Sequence, residues 1–567
     1  MPYRAPLAEY DLLMRHVVGL DHVAGTERFG EASAETVAAI LAEAARMCEQ
    51  VLAPLNAPGD REGARLENGV VRLPAGFAEG YRAVADGGWT AITASEAHGG
   101  LALPITVATA VNEMMASACL SLQIAPLMSQ GQIEALEHHA SDEIKALYLP
   151  KLVSGQWNGT MNLTEAQAGS DVGALRTKAE PRDDGTYAIT GQKIYISWGD
   201  NDATENTVHL VLARLPDGVE GTKGISLFLV PKFLPDAEGN PGARNELSVV
   251  SLEHKLGLHG SPTAVMDYAG ATGWLVGEPH KGMRAMFTMM NNARLGVGGQ
   301  GIGIAERAYQ HALAYAVERR QGVTPMGATA IVDHADVRRM LLTMQAEVFA
   351  ARAIALSCAV AIDMQTATGE AGWVARAAFL TPIAKAFGSD TGLRVSDMGV
   401  QVHGGMGYIE ETGAAQFTRD VRVTAIYEGT NGIQAMDLVS RKMMDEGAMA
   451  YVILDEIEAG AKAARAALPD LAEPLLEACA ALRAGTDWMV QHPLEDRFAG
   501  AVPYLAAFAR VLGGQAHLKA AEVEGGARLA LARFYMARML PEYAAKLAEA
   551  RAGSEGLYAV DVEAMAW

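Results

Sequence analysis

The stretch Ala425-Ile426-Tyr427-Glu428-Gly429-Thr430-Asn431-Gly432-Ile433-Gln434 places one carboxylate just before a turn hinged by glycine. Helical spacing resumes at Ile433, so Thr430 or Asn431 can cap a helix there, and with Asn431 as the N-cap Gln434 would complete a capping box. Apolar surroundings raise the pKa of a carboxylate and a helix N-terminus lowers it, so Glu428 has the setting of a tunable general base. The alternative interpretation is a glutamate that only complements the helix dipole.

Three further segments occur in a fixed order before this stretch. They are MNLTEAQAGSD at 161–171, GQKIYIS at 191–197 and QVHGGMGY at 401–408. The first two are ordinary in composition when taken singly, but all four segments in this order resemble the acyl-CoA dehydrogenase family. The resemblance covers residues 35–443. The sequence departs from the family's usual pattern at Ala166 (usually Pro), Tyr195 (usually Trp) and Ser197 (usually Thr).

The resemblance implies an FAD-dependent enzyme in which Glu428 removes the α-proton of an acyl-CoA thioester while the β-hydrogen leaves as hydride to the flavin. It implies that a set of residues holds FAD, namely Met161, Leu163, Thr164, Ser170, Tyr195, Ser197, Arg319, Gln401, Gly404, Gly405 and Thr430. Within this set, Arg319, Gln401, Gly404 and Gly405 would reach the FAD of a neighbouring subunit. It assigns Ser170, Asn291 and Arg294 to the CoA substrate, although Arg294 could instead be a plain surface arginine.

The composition and a few short motifs limit which other classes of protein and of binding site fit the sequence. The chain has 567 residues, half of them hydrophobic, and this length predicts several domains. Its formal net charge of -21 disfavours nucleic-acid binding. Four distant cysteines without a CxxC pair favour a reducing compartment, and we expect a cytoplasmic protein without a signal peptide or a membrane span. The adjacent histidines His138 and His139 point apart on a helix, so no metal site is expected. A GxGxxG match at 296–301 lies in a helical run, which predicts close helix packing rather than a dinucleotide site.

The change of hydrophobic period along the chain divides it into four parts. The fold predicted is mostly α with a central β-domain, similar to the acyl-CoA dehydrogenases, plus an extra helical tail. The parts are a helical domain (1–158), a small β-barrel or sandwich (159–277), a helical bundle carrying the base (278–443) and the tail (444–567). One helix is predicted at 104–120 and two more within 129–153, with Ser141-Asp142-Glu143 as a cap, and long helices are predicted over 284–315, 331–367 and 373–400. In the tail they are predicted at 447–465, 470–492, 500–522 and 525–553, with a break at Gly513-Gly514.

Substrate and partners follow from the resemblance alone. The tail and the Tyr-x-Ala-Pro opening resemble a larger subfamily, which implies 3-methylmercaptopropionyl-CoA as substrate and a place in dimethylsulfoniopropionate degradation. A straight-chain fatty acyl-CoA is the first alternative. Electron-transfer flavoprotein is the implied electron acceptor, and a homodimer or a dimer of dimers is the implied assembly. Two hypotheses of other classes remain: a flavin-containing, nucleic-acid-binding alkylation-response protein, and a flavin-free helical scaffold.

Overall fold

The structure is a computed structural model that describes residues 2–566. Its first part is helical apart from one short hairpin. The helices are α1 (Leu7–Leu12), α2 (Leu20–Ala24), α3 (Ala34–Met47), α4 (Asn56–Glu62), α5 (Phe77–Asp86), α6 (Ile105–His139) and α7 (Asp142–Val153), and the hairpin is β1 (Arg65–Glu67) and β2 (Val70–Arg72). The hairpin pairs antiparallel beside the helices.

Helix α6 is the central element of this part. The predicted gap between the helix at 104–120 and the next helix was wrong, because α6 runs from Ile105 to His139 and only bends at Cys119, where φ is -158° and ψ is 90°. No glycine or proline marks that bend in the sequence. The second helix predicted within 129–153 and its cap at Ser141 are confirmed by α7. Among residues 2–566, α6 is the one helix that is long and apolar enough to span a membrane, and 94% of its most apolar window is buried inside the protein. Burial on this scale is typical of a core helix.

The β-domain is a small closed barrel, as predicted. Its strands are β3 (Trp157–Asn162), β4 (Lys178–Pro181), β5 (Tyr187–Ser197), β6 (Asn206–Arg214), β7 (Ile225–Pro231), β8 (Phe233–Pro235), β9 (Pro241–Arg244), β10 (Leu247–Leu252) and β11 (Thr263–Val276). Strand β11 pairs with both β5 and β7, while β6 pairs with both β4 and β7, so the sheet closes on itself through the β4–β5 pair. Strand β3 adds to β6 in parallel, which carries the chain from α7 into the sheet.

Three long helices form the second helical part, close to their predicted bounds. They are α8 (Gly282–Glu318), α9 (Ala335–Thr368) and α10 (Ala371–His403), followed by the shorter α11 (Ala414–Val421) and α12 (Asn431–Val439). A Cβ on Gly298 would lie 2.7 Å from the carbonyl oxygen of Ala384, and one on Gly301 would lie 2.4 Å from that of Gly388. The prediction that these glycines serve close helix packing is therefore confirmed.

The tail is helical as predicted, with two differences. Its helices are α13 (Ala448–Ala464), α14 (Pro469–Gln491), α15 (Leu494–Ala499), α16 (Ala501–Val523), α17 (Gly526–Arg538), α18 (Glu542–Ala550) and α19 (Glu555–Tyr558). The predicted break at Gly513-Gly514 was wrong, since α16 continues through both glycines. Gly513 instead allows close packing, because a Cβ there would lie 2.3 Å from the Tyr535 hydroxyl and 2.9 Å from Ala350. The helix predicted at 525–553 instead ends at Arg538 and resumes after Pro541.

The tail packs directly on the elements that carry the site. Arg510 of α16 donates two hydrogen bonds of 2.7 Å to the buried carboxylate of Glu347 on α9. Arg497 of α15 donates to the carbonyl oxygen of Val439, the last residue of α12. The tail therefore supports the back of the helix that follows Glu428.

Candidate active site

Glu428 occupies a strained corner between α11 and α12. Its φ is +56°, and that of Gly429 is +87°. A left-handed conformation is costly for a residue with a side chain and persists only when its surroundings enforce it. The side-chain amide of Gln434 contributes here, since its Nε2 donates to the carbonyl oxygen of Glu428 at 3.1 Å.

Thr430, not Asn431, is the N-cap of α12. The Thr430 hydroxyl oxygen accepts a hydrogen bond of 3.2 Å from the N–H of Ile433. The capping box proposed for Asn431 and Gln434 is therefore absent, because both side chains bind elsewhere. Asn431 Oδ1 accepts a bond of 2.9 Å from the ammonium of Lys385. Asn431 Nδ2 donates to Asp390 Oδ1 at 2.6 Å, so the corner is anchored to α10.

The electrostatics of Glu428 favour the general-base interpretation over the dipole alternative. Burial raises the pKa of Glu428 to about 7, although the positive charges of Arg294 and Lys385 oppose the rise. Burial likewise lowers the pKa of Lys385 to about 8. A carboxylate with a pKa near neutrality can both accept and release a proton under physiological conditions.

A cavity of about 760 Å³ lies between α6, α8, α9 and α10 and contains both predicted CoA residues of α8, Asn291 and Arg294. Arg294 is only 7% exposed, which excludes the surface-arginine alternative. Its Nη1 lies 3.5 Å from Asn291 Oδ1, and its buried Nε has no partner among residues 2–566. A buried guanidinium with an unused N–H is suited to an anionic or carbonyl oxygen of a ligand.

The two predicted flavin segments lie side by side. The N–H of Ile194 donates to the carbonyl oxygen of Thr164 at 2.9 Å, and Lys193 Nζ donates to the carbonyl oxygen of Leu163, also at 2.9 Å. Met161, Leu163, Thr164 and Ser197 are partly exposed, and Ser170 is exposed on the loop beyond them. Tyr195 is 61% exposed and has a φ of +60°. Exposed apolar, aromatic and hydroxyl groups on adjacent segments fit a flat ring with polar edges.

Sequence reasoning assigned no role to Glu165 and Lys193, which hold these segments together. Lys193 Nζ lies 2.9 Å from Glu165 Oε1, and both side chains are buried. The same carboxylate accepts hydrogen bonds from the Thr177 hydroxyl and from the N–H groups of Arg176 and Thr177. Burial opposes ionisation, but Lys193 and Thr177 outweigh it and lower the pKa of Glu165 to about 2. The signal available in the sequence was charge, since the first segment contains the acidic residues Glu165 and Asp171 and the second contains Lys193.

We expect Lys193→Met to weaken flavin binding about tenfold, which corresponds to about 1.4 kcal/mol. Without the ammonium, the backbone at Leu163 loses its bond to β5 and the loop must be ordered by the flavin itself. Flavin dissociation constants from fluorescence titration of the apoprotein would measure this loss. Exposed Lys178→Met on β4 is the control. Equal constants for Lys193→Met and the control would contradict the assignment.

Helix α6 connects the flavin segments to the base. Trp198, next to Ser197, donates its indole N–H to the carbonyl oxygen of Ser121 at 3.1 Å. Two residues further along α6, Gln123 Oε1 accepts a bond of 2.8 Å from Gln300 Nε2 on α8, and Gln300 Oε1 accepts from the Tyr427 hydroxyl. Glu428 and the flavin segments are thus tied to the same helix.

The remaining predicted cofactor residues form a separate group at the far ends of α8 and α10. Arg319 and Gln401 are exposed, as are Gly404 and Gly405. The rings of Tyr315 and His403 stack with centroids 4.4 Å apart, which joins the two helix ends. Within residues 2–566, no described hydrogen bond joins this group to Glu428. The described residues also contain no group of three or more His, Cys, Asp or Glu side chains arranged for a metal.

Known proteins resemble the chain along most of its length. Family models match residues 34–156, 160–269 and 280–443, described as the acyl-CoA dehydrogenase N-terminal, middle and C-terminal domains. A fourth model, described as acetyl-CoA dehydrogenase C-terminal like, matches residues 453–561.

Two curated relatives and one solved structure extend the comparison. The 3-methylmercaptopropionyl-CoA dehydrogenase of Ruegeria pomeroyi is 46% identical over 521 residues, covering 89% of this chain and 88% of that protein. The broad-specificity linear acyl-CoA dehydrogenase FadE5 of Mycobacterium tuberculosis is 35% identical, covering 81% and 79%. Caenorhabditis elegans ACDH-11 in complex with C11-CoA shares the fold, with a TM-score of 0.78 at 20% identity over 94% and 91% of the chains. This chain belongs to the acyl-CoA dehydrogenase family and is an oxidoreductase acting on CH–CH bonds.

Proposed function

We propose that the enzyme uses FAD to convert 3-methylmercaptopropionyl-CoA to methylthioacryloyl-CoA. The observation that carries the reaction type is Glu428, a carboxylate held at a left-handed corner, whose pKa burial raises to about 7 against the opposing positive charges of Arg294 and Lys385. The substrate assignment draws on the 46% identical relative of that name.

The chain's own residues would perform the proton transfer and position the thioester. Glu428 takes the α-proton, and its backbone N–H, which has no described acceptor among residues 2–566, donates to the thioester oxygen. Asn291 and Arg294 bind the CoA part in the cavity. When bound, FAD would accept the β-hydrogen as a hydride. Met161, Leu163, Thr164, Tyr195, Ser197 and Thr430 would line the flavin, with Ser170 between flavin and CoA.

We assign Arg319, Gln401, Gly404 and Gly405 to the FAD of a second copy, because they form an exposed group remote from Glu428. A Cβ on Gly404 or Gly405 would meet nothing within 4 Å, so the backbone there is open to a large ligand. A homodimer is therefore the smallest complete enzyme, and a dimer of dimers satisfies the same requirement. Electron-transfer flavoprotein is the proposed oxidant. The four cysteines are buried and unpaired, which suits the cytoplasm.

Anaerobic flavin bleaching tests the proposal. The flavin-loaded protein is mixed with 3-methylmercaptopropionyl-CoA, butyryl-CoA or palmitoyl-CoA, and we expect the first to bleach it fastest. Faster bleaching by butyryl-CoA or palmitoyl-CoA would move the assignment to straight-chain substrates, which the similarity to FadE5 favours. A bound flavin that no thioester bleaches would refute the dehydrogenase proposal, and a salt-dependent DNA shift would then favour the alkylation-response alternative.

We expect kcat/KM to rise with pH through an apparent pKa of about 7 and to level off above it. The reason is that Glu428 must be ionised to act as a base, and burial raises its pKa to about 7. Lys385→Met removes a positive charge that favours the ionised form of Glu428. The rise in kcat/KM should therefore move to higher pH in this variant. Ser389→Ala loses the hydroxyl's bonds to Asn431 and to the carbonyl oxygens of Lys385 and Ala386 but removes no charge, so it should leave the rise at the same pH. Steady-state rates from pH 5.5 to 9 measure both, and a shift to lower pH in Lys385→Met would contradict this account.

A further inference from the structure

Four buried side-chain amides form a hydrogen-bonded row that begins beside Glu428. The row starts at the Tyr427 hydroxyl and runs through Gln300, Gln123, Asn112 and Gln130. The amide–amide distances along it are 2.8, 3.4 and 2.9 Å. Gln130 Nε2 closes the row on the carbonyl oxygen of Trp89 at 2.8 Å. All four amides are at most 7% exposed.

The far end of this row lines the cavity that holds Arg294. Asn112 and Gln130 both belong to the cavity wall, as does Gly299 of α8. A Cβ on Gly299 would meet nothing within 4 Å, so the cavity is open at this point. The Asn112 amide has two N–H groups, and the described bonds use one of them, toward Gln130. The other is left for an acceptor inside the cavity.

This arrangement treats an all-carbon chain and a heteroatom-containing chain differently. An alkyl chain that fills the cavity displaces water from Asn112 and leaves a buried N–H unpaired, which is costly. A chain with an oxygen or sulfur atom at that position supplies an acceptor. A site built to hydrogen-bond a substrate atom discriminates strongly against an analogue that lacks the atom.

We propose that Asn112, supported by Gln130, is a specificity-determining residue that selects acyl thioesters carrying an ether or thioether atom over all-carbon chains of equal length. The inference rests on the proposed function, since it takes the cavity as the site of the acyl chain as well as of the CoA part that Asn291 and Arg294 bind. Because an ether oxygen is a stronger acceptor than a thioether sulfur, the oxygen analogue gains more from Asn112 than the sulfur compound does.

Three thioesters that differ in one atom provide the test: 3-methoxypropionyl-CoA, 3-methylmercaptopropionyl-CoA and pentanoyl-CoA. We expect Asn112→Leu in the flavin-loaded enzyme to lower the kcat/KM of the methoxy compound relative to pentanoyl-CoA about 3- to 10-fold, the loss of one hydrogen bond. Comparing this ratio between wild type and variant cancels the intrinsic reactivity of each thioester. Asn206→Leu removes a buried side-chain amide of strand β6, which donates to the carbonyl oxygen of Phe233 outside the cavity, and should leave the ratio unchanged.

A second measurement avoids dependence on the folding of Asn112→Leu. In flavin-loaded Glu428→Gln, which binds without turnover, dissociation constants of the three thioesters should favour the methoxy compound over pentanoyl-CoA about 3- to 10-fold. Equal constants, or an unchanged kcat/KM ratio in Asn112→Leu, would overturn the inference while the dehydrogenase activity stands. If no thioester reduces the flavin of the wild type, the proposed function itself fails.

Discussion

Glu428→Gln is expected to slow flavin reduction by 3-methylmercaptopropionyl-CoA by about 10²–10⁴-fold, the usual contribution of a positioned general base. Glutamine has nearly the same shape and keeps the backbone of the corner, but its amide cannot accept the α-proton. Thioester binding should be retained, because Arg294, Asn291 and the cavity wall are unchanged. Anaerobic stopped-flow measurement of flavin bleaching gives the rate, and the spectral shift on mixing gives the affinity.

Glu446→Gln is a matched control for this experiment. Glu446 also has a left-handed backbone, with a φ of +59°, and it lies in the turn between α12 and α13, but its side chain is exposed. We expect its rate within about twofold of the wild type, since surface changes away from a site have small effects. A Glu428→Gln enzyme that bleaches within tenfold of the wild-type rate would show that another group removes the proton.

The parts of the fold that local patterns specify were predictable from the sequence. Helices α8, α9 and α10 follow the 3.6-residue period over more than thirty residues each, and they start and end near their predicted bounds. The glycines at 296–301 were assigned to packing because no strand precedes them. The bend at Cys119 was not predictable, since neither glycine nor proline marks it in the sequence.

In the candidate site, too, some residues could be predicted from local sequence and others could not. Glu428 could be assigned because one short segment contains the carboxylate, the glycine hinge and the helix cap. The capping residue could not be decided locally, because Thr430 and Asn431 are equally able to cap and only the distant partner Lys385 determines which one does. The Glu165–Lys193 pair and the amide row join residues far apart in sequence. The hydrophobic period of a short segment does not predict which residues far apart in the sequence form such pairs.

Arg352→Met should produce the largest loss of stability, about 3–5 kcal/mol, because it removes the common partner of three carboxylates. The guanidinium of Arg352 on α9 is fully buried. It donates to Glu113 of α6 at 2.6 and 2.8 Å, to Glu306 of α8 at 2.8 Å, and to Glu9 of α1. Without it, these charges remain in a low-dielectric interior with little compensation. The measurement is the midpoint of urea unfolding followed by circular dichroism, with and without flavin.

Arg339→Met on the same helix separates this effect from the loss of any arginine. Arg339 forms an ion pair of 2.7 Å with Asp336, but both side chains are largely exposed, so we expect a change of about 0–1 kcal/mol. Adding Glu113→Gln to Arg352→Met removes one of the stranded charges and should recover part of the loss, whereas Glu113→Gln alone should destabilise. Glu9 also pairs with Arg528 of α17 at 3.3 Å, so the Arg352 cluster is linked to the tail through Glu9. If Arg352→Met unfolded at the wild-type midpoint, the three carboxylates would have to be neutral in the native protein.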